Sequence, residues 1–173
     1  RRDDIMTNAT QTTTIPAIDQ LVPHSAPMLL IERVCDTGPD HLQAEVTIQQ
    51  TSMFFEKGHG VPTYVGIEYI AQAVAAYSGW RAKSADPAAL PHIGYLLGTR
   101  KMTMTRDWFE PGTRLNIYVE NVFEDGEMGV FKGEIRDGND VIVAAQINVY
   151  QPGDTATTPA SSHTPHNQET TTS

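Results

Sequence analysis

The chain has a single cysteine, Cys35, in 173 residues, which excludes an internal disulfide framework and suits a reducing compartment. It has no apolar run long enough to span a bilayer as a helix. Its opening, RRDDIMTNATQTTT, lacks the apolar core of a secretory signal, and Met6 is a possible natural start behind a vector-derived stretch. The cytoplasm is the expected location. Positive charge is scarce: 12 Lys and Arg against 21 Asp and Glu leave a net charge of −9, which repels nucleic acid except where basic residues cluster. Glycine-rich phosphate cradles are absent, and the histidines share no ligand spacing, so neither a nucleotide nor a metal is expected. Residues 1–15 and 152–173 contain almost no large apolar side chains and are expected to be disordered. That leaves one domain over residues 16–151.

Phe54 to Lys83, FFEKGHGVPTYVGIEYIAQAVAAYSGWRAK, carries the strongest pattern in the chain. Gly58 and Gly60 flank His59, so the backbone there can adopt conformations closed to other residues and approach a ligand closely. From Tyr64 onward the spacing predicts a helix. Val65, Tyr69, Ile70, Ala73, Val74, Tyr77 and Trp80 form a broad apolar arc, and Ala71, Ala75, Ala76 and Gly79 keep the other side slim. A helix apolar nearly all round is expected inside the molecule. Glu68 is the only charged residue between Lys57 and Arg81, and an acid on a buried helix is a candidate proton donor or acceptor.

Before this stretch, Ile15 to Val22 is expected as a short helix with Pro16 in its first turn, and Pro23 and Pro27 bracket a turn. Met28 to Val34 and His41 to Ile48 are expected strands, joined by a turn over Thr37 to Asp40. Beyond the helix, a strand from His92 toward Met104, a corner at Asp107 to Gly112, and strands over Leu115 to Phe123, Met128 to Arg136 and Val141 to Tyr150 follow. The last three are linked by Asp-Gly turns. Two strands, one long helix and four strands predict an α+β domain: an antiparallel sheet curled around one helix, whose uncovered surface invites dimerisation.

Several segments, in order, resemble the hotdog-fold 3-hydroxyacyl-[acyl-carrier-protein] dehydratases over about residues 17–151. VPHSAPMLLIERV (Val22 to Val34) is similar to that family's Pro-His-x-x-Pro opening. Phe54-Phe55 and Gly58-His59 resemble its active loop, and Glu68 followed by Ala71-Gln72 resembles its helix signature. Gly98 to Met102 and Phe109-Glu110-Pro111-Gly112 resemble its third-strand and Pro-Gly corner elements. The resemblance is strongest to a divergent branch associated with aryl-polyene and related lipid or pigment pathways. One departure is visible: His59-Gly60-Val61-Pro62 leads almost directly into the helix, where the usual dehydratase has a longer Gly-His-Phe-Pro-Gly…Pro-Gly connection.

The resemblance implies a lyase that dehydrates 3-hydroxyacyl thioesters held on the phosphopantetheine of an acyl carrier protein, without a further cofactor. It implies His59 as the base for the C2 proton and Glu68 as the acid for the C3 hydroxyl, facing each other across a dimer interface. The amide of Gly66 or Val65 would hold the thioester oxygen, and Gln72, one turn beyond Glu68, would hold the carboxyl. Tyr64, Met102 and Met104 are either core or acyl-tunnel wall. Arg100, Lys101 and Arg106 are either a solvated face or the contact for an acidic carrier protein. His24, in its Pro-bracketed turn, and His92, at a strand start, are read as structural, and His41 as exposed. Two alternatives stay open: a thioesterase on the same fold with Glu68 activating water, and a non-catalytic acyl-binding subunit that stabilises a second hotdog protein in a homodimer or hetero-oligomer. Enoyl product, free thiol or neither distinguishes the three.

Overall fold

Two Asp-Gly turns organise the second half of the molecule. In the computed structural model, which describes residues 14–92 and 94–152, strands β6 (Arg114–Asp125), β7 (Met128–Asp137) and β8 (Asp140–Tyr150) form a meander. Gly126 (φ 58°) and Gly138 (φ 57°) supply the left-handed backbone that two-residue hairpins need. β1 (Arg33–Thr37) and β2 (His41–Thr47) form another hairpin, and β4 (Tyr95–Met104) follows the helix. These strands make one six-stranded sheet in the order β1-β2-β6-β7-β8-β4, with every pairing antiparallel. A second, two-stranded sheet joins β3 (Val61–Pro62) to β5 (Trp108–Phe109). The segments expected to be disordered fall outside the described residues, except at their inner edges.

Helix α1 spans Gly66–Ala85 and is preceded by a 3-10 turn over Thr63–Val65. Its Tyr69, Ile70, Ala73, Val74, Ala76 and Tyr77 are buried, packed with the alternate inward residues of the sheet: Leu115, Ile117 and Val119 of β6, Ile135 of β7, Val143 and Ile147 of β8. Each large apolar side chain so buried contributes about 1.5–3 kcal/mol relative to exposure. Gly66 is needed for this closeness, because a Cβ there would lie 2.8 Å from Ile135 Cδ1 and 3.2 Å from Phe109 Cζ. Burial holds the Tyr69 hydroxyl proton tightly, its pKa pushed up to about 12, and the Tyr77 hydroxyl donates to the Pro39 carbonyl at 2.7 Å.

The structure corrects three expectations. The strand predicted over Met28 to Val34 begins only at Arg33, because Met28 and Leu29 donate to the Ser25 carbonyl and Leu30 to the Gln72 side chain instead of to a neighbouring strand. The short helix expected from Ile15 reduces to a 3-10 turn at Ile18–Gln20. Helix α1 is buried on one side only: Glu68, Ala71, Ala75 and Ser78, spaced along one face, are half-buried, and Tyr64 just before it is exposed. The last strand of the sheet, β4, also presents apolar side chains, with Tyr95, Leu96, Leu97 and Met104 all exposed.

Candidate active site

Glu68 stands in the first turn of α1, and its neighbours are set by Gln72, one turn along. Gln72 is fully buried. Its Nε2 donates to Glu68 Oε1 at 3.1 Å and to the Met28 carbonyl at 2.8 Å, and its Oε1 accepts the Leu30 N–H at 2.8 Å. One amide thus ties the opening segment to the helix and orients the carboxylate. The Glu68 side chain is 41% exposed, which corrects the expectation of a fully buried acid.

The second group beside Glu68 is His24, whose Nε2 lies 3.8 Å from Glu68 Oε1. His24 was read as structural from its sequence. The available signal was its place in the Pro-His-x-x-Pro segment that resembles the family's opening. Both side chains line a cavity of about 200 Å³, walled by Ala71, Val74, Ala75 and Ser78 of α1 and by Tyr95 and Leu96 of β4. A larger cavity of about 370 Å³, reaching Arg81 and Glu124, shares Ser78, His92, Val149 and Gln151 with it. Tyr64, Met102 and Met104 line neither cavity. Met102 packs against the core, and Met104 Sδ lies 3.5 Å from the Thr63 hydroxyl oxygen.

His59 occupies a separate, rigid loop. Glu56 N–H donates to the Gly60 carbonyl at 2.7 Å, and His59 and Gly60 both donate back to the Glu56 carbonyl at 3.0 Å. Gly60 has a φ of 122°, and a Cβ there would sit 2.1 Å from the Phe109 carbonyl oxygen, so only glycine lets the loop lie against β5. The exposed His59 ring stacks on Trp108, with centroids 4.7 Å apart and planes at 21°. Within one chain no hydrogen bond or ion pair among the described residues joins His59 to Glu68.

The helix start is anchored from the other side. Thr63 N–H donates to the Asp107 carbonyl at 3.0 Å and its hydroxyl to the Arg106 carbonyl at 2.7 Å. Val65 is buried, and the Gly66 N–H closes the 3-10 turn onto the Thr63 and Tyr64 carbonyls. Of the basic residues, Arg106 is forked between Asp137 at 3.0 Å and Asp140 at 2.9 Å. Arg100 and Lys101 are exposed on β4, at the irregularity where Lys101 has a φ of 51°.

Residues 16–160 match the family described as ApeP-like, ApeP dehydratase. The 3-hydroxyacyl-[acyl-carrier-protein] dehydratases FabZ of Shewanella woodyi and Shewanella sediminis are 31% and 32% identical, each over 82% of this chain and 94% of the relative. Among solved structures, the dehydratase heterocomplex ApeI:P from Xenorhabdus doucetiae is 33% identical with a TM-score of 0.75, covering 82% of this chain and 95% of that one. A hypothetical thioesterase from Streptococcus pneumoniae with coenzyme A is 11% identical with a TM-score of 0.56, covering 70% and 85%, and shares the fold alone. With one long helix against a six-stranded antiparallel sheet, and with the match running through the opening turn, the loop and the helix, the chain is a hotdog-fold protein that belongs to the ApeP-like dehydratase family.

Proposed function

We propose that this protein dehydrates 3-hydroxyacyl thioesters carried on an acyl carrier protein, giving trans-2-enoyl thioesters. The observation that carries this reading is Glu68: an oriented, half-exposed carboxyl at the mouth of a largely apolar cavity. Glu68 is the acid. Its proton leaves with the C3 hydroxyl as water while a base takes the C2 proton, so the two electrons of the C2–H bond become the new double bond. His59 is the base, supplied by a second subunit, since the Trp108 stack holds it at the surface of its own chain. The amides at the start of α1 hold the thioester oxygen as charge gathers there. The donor is the amide of Gly66 or Val65, both at the 3-10 turn that leads into the helix.

The second subunit docks along β4, a terminal strand of the sheet that exposes Tyr95, Leu96 and Leu97 beside the cavity. It is either a second copy or another hotdog protein, the latter favoured by the ApeI:P relative having been solved as a heterocomplex. Arg100 and Lys101, on the same strand, meet the acidic carrier.

The test follows enoyl product and free thiol together, with and without a partner subunit, for the wild type, Glu68→Gln and His59→Ala. Loss of enoyl formation by about 10²–10⁴ in both variants is expected. Thiol release that depends on Glu68 alone would replace the lyase with a thioesterase. A wild type that makes neither product, but raises the activity of a second hotdog subunit, would make it the non-catalytic partner.

A further inference from the structure

We propose that His24 is a positioning residue that, with Gln72, assigns the two oxygens of Glu68 different tasks. The inference rests on the reading of Glu68 as the acid. It comes from two observations about the His24 ring and one about the Glu68 carboxylate.

First, His24 Nε2 faces Glu68 Oε1 at 3.8 Å, at ion-pair range and just beyond a hydrogen bond. Second, His24 Nδ1 is buried and has no hydrogen-bond partner among the described residues. Third, Gln72 Nε2 donates to that same oxygen, Oε1, at 3.1 Å.

The tautomer follows from the second observation. A buried N–H without an acceptor is rarer and costlier than a buried lone pair. The neutral ring therefore keeps its proton on Nε2, pointed at Glu68, which also avoids facing a lone pair toward the carboxylate. Oε1 then accepts from Gln72, faces a second donor on His24 just beyond reach, and carries no proton of its own. When Glu68 is the neutral acid, its proton sits on Oε2, the oxygen with no donor among the described residues. During dehydration the C3–O bond breaks, the Oε2 proton leaves with that oxygen as water, and the charge left on the carboxylate is held at Oε1. His24 and Gln72 thus fix which oxygen delivers the proton, and the ring closes the short gap to Oε1 as that charge develops. Catalytic hydrogen bonds are commonly long before substrate arrives.

The role differs from simple support of the fold in a way that can be read. In the full chain labelled with ¹⁵N-histidine, long-range ¹H–¹⁵N correlation spectra report the tautomer of each ring, with His24 assigned from its disappearance in His24→Gln. The expected result is an Nε2–H tautomer whose Nε2 resonance moves in Glu68→Gln. An Nδ1–H ring, or a resonance indifferent to Glu68, would overturn the proposal whether or not the enzyme turns over. Kinetics give the second arm. His24→Phe keeps the bulk and loses the donor, and kcat is expected to fall about tenfold to a hundredfold with KM little changed, the scale of a misaligned group. His24→Gln places an amide N–H near the Nε2 position and should restore most of that loss. Equal kcat for Phe and wild type, or equal loss in Phe and Gln, would also overturn it. If the wild type turns over no 3-hydroxyacyl thioester, the dehydratase reading fails, and the spectra alone decide the pairing of His24 with Glu68.

Discussion

The two histidine segments, His59 in its Gly-flanked loop and His24 in its Pro-bracketed turn, make opposite impressions in sequence and in space. His59 stands nine residues before Glu68 and lies between two glycines, yet within its own chain it rests on Trp108. His24 stands forty-four residues away in a turn read as structural, yet its ring comes within 3.8 Å of Glu68. The difference lies in what ties each segment down. The loop is closed on itself by the Glu56–Gly60 bonds and pinned to β5. The turn is strapped to the helix by a single buried amide, Gln72. Nearness along the chain brings no contact when a rigid turn points the side chain outward. A distant segment reaches the site when one residue satisfies its backbone.

That contrast can be broken most forcefully at the strap. Gln72→Ala leaves the Leu30 N–H and the Met28 carbonyl without their side-chain partner. A loss of about 1–3 kcal/mol is expected for each group that water does not reach, measured by denaturant unfolding. An unchanged midpoint would mean that the opening segment is held by its apolar residues alone. The loop should respond differently. Trp108→Leu removes a ring stack worth about 0.5–1.5 kcal/mol. If that stack presents His59 to a partner subunit, kcat falls with little change in unfolding, and full activity would make the contact incidental.

A smaller effect is expected where the carrier would dock. Arg100 and Lys101 changed together to Glu should lower turnover of carrier-bound substrate more than that of a short thioester, and more so at low salt. Equal loss on both substrates would remove the docking role. Arg106 is unsuited to this test, because reversing it also breaks its pairs with Asp137 and Asp140.

The smallest change is expected away from both segments. The hydrogen bond from Arg33 holds the Glu45 carboxyl below its ordinary range. A lowered folded value means the contribution is present above the carboxylate's unfolded value and is lost as pH falls through the folded one. The wild type should therefore lose stability relative to Glu45→Gln on acidification, in paired unfolding curves from neutral pH downward. Parallel curves would count against that ion pair.

The legibility of the fold was uneven for physical reasons. The meander from Arg114 to Tyr150 could be read because alternation and Asp-Gly turns are local signals. Met28 to Val34 looked like a strand from its apolar run. Its first residues instead form a turn, and the bonds that decide this come from Ser25 and from Gln72. The helix was correctly placed, but its exposed face was not, since composition cannot say which slim residues border a cavity. Glu68 stood out because a charge is conspicuous on an apolar helix, and Gln72 through the Ala-Gln pair that resembles the family's helix signature. His24 was read only as structural, because a histidine in a turn, even within a Pro-His-x-x-Pro segment, has no local feature that separates support from chemistry.

By itself, then, the sequence determined the strand and helix order, the hairpin registers set by Gly126 and Gly138, and the presence of a lone acid with its glutamine one turn on. These depend on backbone preference and on contacts within a few residues. Only the tertiary structure decided that β4 ends the sheet with an apolar edge, that His59 stacks on Trp108, and that Oε1 of Glu68 faces both Gln72 and His24. Each of these joins residues far apart in sequence, and the packing of α1 against the sheet brings them together.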